Sequence, residues 1–201
     1  MATSAVTGEG TERSPHFYES FADVNGDECV HSKLYTYTLP DGQPVVGTTK
    51  SVMFTIDRPA KEVWPYLKDF NLWQAAYGHH YSGVLGDLEG KTFRLGDKPN
   101  PEGPHQYHVL RVIPEHVIVV DQPGDWEGGP DPWDGFHVVM LNEHDGKSTV
   151  TIVMQHAVRP EDQTAEEALA SWRESQPELQ RKWRDVFIPK LKQLVYEQEI
   201  R

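Results

Sequence analysis

Cysteine is nearly absent from this chain, and so is any long apolar run. Cys29 is the single thiol in 201 residues, which excludes an internal disulfide and every multi-cysteine metal motif. A lone cysteine reads first as a small packing residue and only second as a reactive thiol. No apolar stretch approaches the roughly 20 residues of a membrane span. Residues 1–15 (MATSAVTGEGTERSP) have neither the basic start nor the apolar centre of a secretion signal. They read as disordered tail, and cytoplasmic residence follows as the expectation. Positive charge is scarce as well: 19 Lys and Arg against 31 Asp and Glu leave a net charge of −12. That balance disfavours nucleic acid and anionic membranes as partners, since both reward basic patches. Internal repeats, coiled-coil heptads, a nucleophile elbow, a phosphate-cradling glycine loop and a zinc-protease helix are all missing.

What remains is patterned. The run VHSKLYTYTLPDGQPVV alternates until Pro40-Asp41-Gly42, a hairpin-turn signal. Further on, Val52, Phe54 and Ile56 alternate with Ser51, Met53 and Thr55, so one face of that strand is apolar. The strand breaks at Asp57-Arg58-Pro59. A helical stripe follows: Val63, Tyr66, Leu67 and Phe70. Pro65 requires this helix to start near Glu62 or to kink. A second short helical turn is expected over 71–76, ended by Gly78.

From His79 to Val158 the sequence reads as six strands with short connections, an antiparallel meander. The end is helical, with two capping-box starts, Thr164–Glu167 and Ser175–Glu178. The apolar stripe Leu179, Trp183, Val186, Phe187, Leu191, Leu194 and Val195 must pack across the sheet, and Pro189 is expected to bend it. The class is α+β.

Three pieces carry a family likeness: strand 51–57 running into RPAKEVWPYLKDFNLW, the strand YHVLRVIPEHVIVV, and the helix WRDVFIPKLKQLVYE. In this order they resemble the START-like or SRPBCC superfamily over residues 48–198, with the polyketide cyclase/dehydratase-like branch among those admitted. The resemblance implies a helix-grip fold: an antiparallel sheet wrapped around a long C-terminal helix. Two short bracing helices would prop that helix off the sheet and leave a cavity. On this reading residues 1–27 are a disordered tail and 28–47 an N-terminal extension with a hairpin strand. Residues 48–201 are the START-like domain. The extension either lengthens the sheet or mediates a homodimer. No cofactor is expected, because the histidine pair and carboxylate of the family's iron-binding branch find no match here.

In an antiparallel meander alternate connections share one end, which groups the loops at 96–104, 123–135 and 157–164. The middle one holds Trp126 and Trp133 among Asp125, Glu127, Asp131 and Asp134. Its indoles either gate a ligand or pin a glycine-rich loop to the sheet. The resemblance puts Trp73, Tyr77 and Tyr81 near the cavity, and Trp172 on the first part of the terminal helix could cover its mouth. His156 continues the inward face of Val150, Ile152 and Met154, so its ring needs a buried partner or a ligand. Tyr107 and His137 complete the expected ligand contacts. Arg111 shares the parity of Tyr107, Val109 and Ile113. Inward it would clamp a carboxylate or enolate, and outward it is a solvated charge. His79 and His80 are neighbours on opposite faces, and His105, His108, His137 and His156 converge only through the fold. No metal site is expected.

Three functions are compatible with these features. The leading one is binding of a small hydrophobic or aromatic molecule in an internal cavity. The alternative is a cyclase, dehydratase or aldol-type enzyme acting on a polyketide-like substrate there, with His156, Arg111, Tyr81 or Asp125 moving protons. The third is a protein-interaction or chaperone-activating module with a closed cavity.

Overall fold

Alternation of side chains in the sequence becomes one sheet in space. The computed structural model describes residues 16–70, 80–82, 89–96, 105–127, 129 and 133–197. The strands are β1 (His16–Asn25), β2 (Glu28–Thr38), β3 (Pro44–Ile56), β4 (His80–Ser82), β5 (Thr92–Gly96), β6 (His105–Ile113), β7 (Val117–Gln122), β8 (Trp133–His144) and β9 (Lys147–Val158). They form a single antiparallel sheet in the order β1-β2-β3-β9-β8-β7-β6-β5-β4. The six strands expected between His79 and Val158 are all present, in meander order. Hairpin β8–β9 turns at Asp145 and Gly146, both at positive φ (50° and 73°), the backbone twist a two-residue turn requires.

Helix α1 (Ala60–Leu67) follows β3 directly and buries Ala60, Val63, Trp64 and Leu67. It starts at Ala60 rather than Glu62 and carries Pro65 inside. The second bracing turn expected over 71–76 lies outside the described residues.

The terminal helix comprises α2 (Ala165–Lys182), a wide π turn at Trp183–Phe187, and α3 (Ile188–Tyr196). The capping box at Thr164–Glu167 forms, each partner bonding the other's backbone. The expected second start at Ser175–Glu178 does not. There Ser175 Oγ and Gln176 Nε2 both donate to the Trp172 carbonyl at 2.8 Å. Helix α2 runs on through Pro177, whose ring lacks an N–H to donate to the Arg173 carbonyl. In place of the bend expected from Pro189, the structure has a π turn before it. The Ile188 N–H reaches back five residues to the Trp183 carbonyl, moving the backbone out of the proline ring's way.

The helix lies across one face of the sheet and makes the core. Phe54 meets Phe187 edge to face at 6.2 Å, and Trp183 packs on Phe187 at 4.5 Å. Val30, Val52, Ile152 and Val139 form one apolar row beneath them. This is an α+β helix-grip fold. Among the described residues, no helix is long and apolar enough to cross a membrane.

One expectation needs correcting. The sequence of residues 1–27 reads as disordered tail, yet His16–Asn25 form β1, and β1–β2 lengthen the sheet beyond β3. The hairpin is tied to the helix: Asp23 pairs with Arg184, and Lys192 Nζ donates to Glu28 Oε1 at 2.7 Å. Those partners lie 161 and 164 residues away in sequence, beyond the reach of any local pattern.

Candidate functional site

The inward face can be read strand by strand from the register. One row runs Ser32, Lys50, Met154, His137, Val120, Val109. The next runs Leu34, Thr48, His156, Gly135, Gln122. Polar residues therefore cluster on a face that is otherwise apolar, between the Val52 row and an apolar end at Leu34, Val46, Ala168 and Leu169. Trp133 stacks flat on Trp172 at 5.8 Å and 3° at that same end. From Trp172 the helix passes to Trp183 over the core, so Gln176 and Gln180 of α2 lie between the two apolar ends.

The centre of the patch is a histidine pair. His137 Nε2 and His156 Nε2 are 3.0 Å apart, so one ring donates and the other accepts. The rings meet at 78°, and Tyr107 packs edge-on against His137 at 5.5 Å. His137 is fully desolvated, which pushes its pKa down to about 4, and the Lys50 charge adds to the shift. It is neutral at physiological pH. Gly135 sits between His156 and Gln122 in its row. A Cβ there would stand 2.9 Å from Gln122 Oε1, so glycine is what lets that amide lie beside the histidines.

Lys50 lies two strands from His137 in the same row, about 10 Å at ordinary strand spacing. Burial pushes its amine down to about 8. Ser32 Oγ, Thr48 Oγ1, Gln176 Oε1 and Gln180 Nε2 are buried with no hydrogen-bond partner among the described residues. Ser32 and Gln176 are each 1% exposed and Thr48 4%. The arrangement offers hydroxyls, amides, one ammonium and a proton-sharing imidazole pair.

Of the residues expected from sequence, the fold brings together His137, His156, Tyr107 and Met154, with Trp133 and Trp172 stacked at one end. Two candidates are displaced. Arg111 has the parity of inward Tyr107 and Val109, but a bulge between Val109 and Arg111 adds one residue to β6. The extra residue reverses the alternation. Val112 turns in, while Arg111 turns out and pairs with Glu89 at 3.0 Å. Asp125 is exposed and accepts from Arg159 Nη2 at 2.7 Å, so it faces away from the patch. Asp134, on the outer face, accepts from the Gly124 N–H, and its carboxyl is raised to about 6 by burial and by Glu127.

Tyr81 is paired with Leu95 in the β4–β5 register. Trp73 and Tyr77 lie outside the described residues, and Trp126 belongs to a short 3₁₀ turn, Asp125–Glu127. Among the described residues, no group of three or more His, Cys, Asp or Glu could hold a metal.

Sequence reasoning missed Lys50, Thr48, Ser32, Gln122, Gln176 and Gln180. A signal existed for two of them: Thr48 and Lys50 have the parity of Val52, Phe54 and Ile56. Ser32 required the β2–β3 register, and the glutamines required the helix to be laid across the sheet.

No family model matches the sequence. A stretch of 92 residues is 36% identical to the uncharacterized protein y4wM of Sinorhizobium fredii (strain NBRC 101917 / NGR234). It takes in 45% of this chain but spans 11% of that protein's length. Among solved structures, the Staphylococcus aureus protein SA2116, of unknown function, aligns over 76% of this chain and 97% of its own. Its TM-score is 0.53 at 10% identity. CalU16 from Micromonospora echinospora is 20% identical over 84% of this chain and 94% of its own, with a TM-score of 0.39. Truncated norcoclaurine synthase from Thalictrum flavum is 13% identical over 75% and 94%, with a TM-score of 0.47. These likenesses are of fold alone.

Proposed function

We propose that this chain, a helix-grip protein, holds a small apolar or aromatic molecule between the inward face of its sheet and α2. One observation carries the reading: four buried polar atoms, on Ser32, Thr48, Gln176 and Gln180, lack partners among the described residues. They lie on the two surfaces that face each other. A buried polar group left unmade costs about 1–3 kcal/mol, so four in one place favour a guest that supplies the partners. The apolar rows on either side suit an aromatic or aliphatic body, and the −12 charge suits a freely soluble cytoplasmic carrier. Native mass spectrometry of freshly purified protein, followed by denaturation, is the direct test. The expected result is one released organic molecule per chain. A clean apo mass, together with failure to take up any apolar compound from a mixed panel, would sink the reading.

The histidine pair favours a second reading, acid–base catalysis of the cyclase, dehydratase or aldol type on an enolisable substrate. With His137 neutral and accepting from His156 Nε2, the His156 ring can take a proton from a bound molecule at its other nitrogen, and the imidazolium so formed keeps donating to His137. His156→Gln separates the two readings. Turnover lost with ligand affinity kept supports catalysis, and affinity lost in proportion supports binding.

A further inference from the structure

The polar patch is unbalanced in charge. Lys50 lies on the inward face with Thr48 and Val52, opposite Ser32 on one side and Met154 on the other. Three carboxylates on this face are engaged elsewhere: Asp23 by Arg184, Glu28 by Lys192, and Glu143 by the Ala60 N–H at 2.8 Å. No ion pair to Lys50 is present among the described residues. The neighbours of Lys50 are a hydroxyl on Ser32, a thioether on Met154 and the hydroxyl of Thr48 one inward position along β3. None of them carries negative charge. Lys50 is half-buried, and an ammonium partly withdrawn from water without a counter-ion is costly to keep. Its retention in a chain with 31 acids implies that the missing anion comes with the guest.

We infer that the molecule held under α2 is an organic anion, whose carboxylate, phenolate or enolate oxygen seats against Lys50 and Ser32 while its apolar body lies along the Met154 and Val52 rows. This rests on the interior-binding reading above and names its ligand class. Hydroxyls of Ser32 and Thr48 and the Gln180 Nε2 amide donate to such an oxygen, while Gln176, whose Nε2 donates to the Trp172 carbonyl, offers its Oε1 to a donor elsewhere on the guest. The His137–His156 pair then stands beside the charged group rather than under it.

The test compares matched probes by isothermal titration calorimetry at neutral pH: naphthalene-carboxylate and its neutral twin naphthalene-carboxamide. Benzoate and benzamide form a smaller pair. Wild-type protein is expected to bind a carboxylate at one equivalent and at least about tenfold more tightly than the matching carboxamide. Lys50→Met is expected to remove that preference by weakening the carboxylate about tenfold, leaving the carboxamide within about twofold. Lys50→Gln, which keeps a polar head, should behave alike, and circular dichroism checks that both variants fold. Equal binding of carboxylate and carboxamide by wild type, or an unchanged carboxylate affinity in both variants, overturns the inference and leaves interior binding standing. Binding of neither probe pair overturns the inference together with the reading beneath it.

Discussion

His137 shows how one residue couples the fold to pH. Its ring faces His156 from β9, Tyr107 from β6 and the Lys50 ammonium from β3. None of these carries a negative charge that would hold an imidazolium. The folded-state pKa of about 4 lies below the ordinary 6.5, so the unfolded chain binds the proton more readily in that window. Stability is therefore unaffected above about 6.5 and falls as pH drops toward 4. The shift corresponds to a loss on the order of 3 kcal/mol once the group is fully protonated. Thermal unfolding measured from pH 7 to pH 4.5 should show this fall, and His137→Gln should flatten part of it. An unchanged slope in the variant would mean other groups carry the acid sensitivity. Lys50 has the opposite sign. Its penalty is fully present below about 8 and is relieved as pH rises toward the ordinary 10.5.

Among the elements, β1 is the one that local pattern misread. Its residues alternate weakly, although they end at Gly26-Asp27, a two-residue hairpin-turn signal that the sequence did offer. Pairing with β2, and the ties from Asp23 to Arg184 and Glu28 to Lys192, make it part of the sheet. Removing residues 1–25 should therefore lower the melting temperature and weaken the helix's hold, because Arg184 loses its tie to Asp23 and keeps its neighbour Asp185. A deletion that melts like the full chain would return the segment to the status of a tail. The β6 bulge and the π turn are irregularities of the same rank. The bulge sends Arg111 outward to Glu89. The π turn reconciles Pro189 with a helix that must keep Trp183, Phe187, Leu191 and Val195 all buried. Neither is visible to a count of alternation or of 3.6-residue steps, because each inserts one residue into a regular period.

At the scale of the whole molecule, the sheet and the helix enclose a face that is apolar at both ends and polar in its middle. The six-strand antiparallel meander, the helix α1 that follows β3 so abruptly, and the apolar stripe on the terminal helix were all legible in the sequence. Each depends on residues close in the chain, where period and turn chemistry act directly. His156 was legible for the same reason, as a polar residue in step with Val150, Ile152 and Met154. The company it keeps was not. His137 meets His156 across a hairpin, Lys50 and Thr48 arrive from β3, Ser32 from β2, and Gln176 from a helix more than a hundred residues further on. By itself the sequence determined which faces are apolar and hence that the helix must lie across the sheet. Only tertiary structure decided which polar groups share the space beneath it, because register and bulges, set by pairing between distant strands, choose the side to which each of them turns.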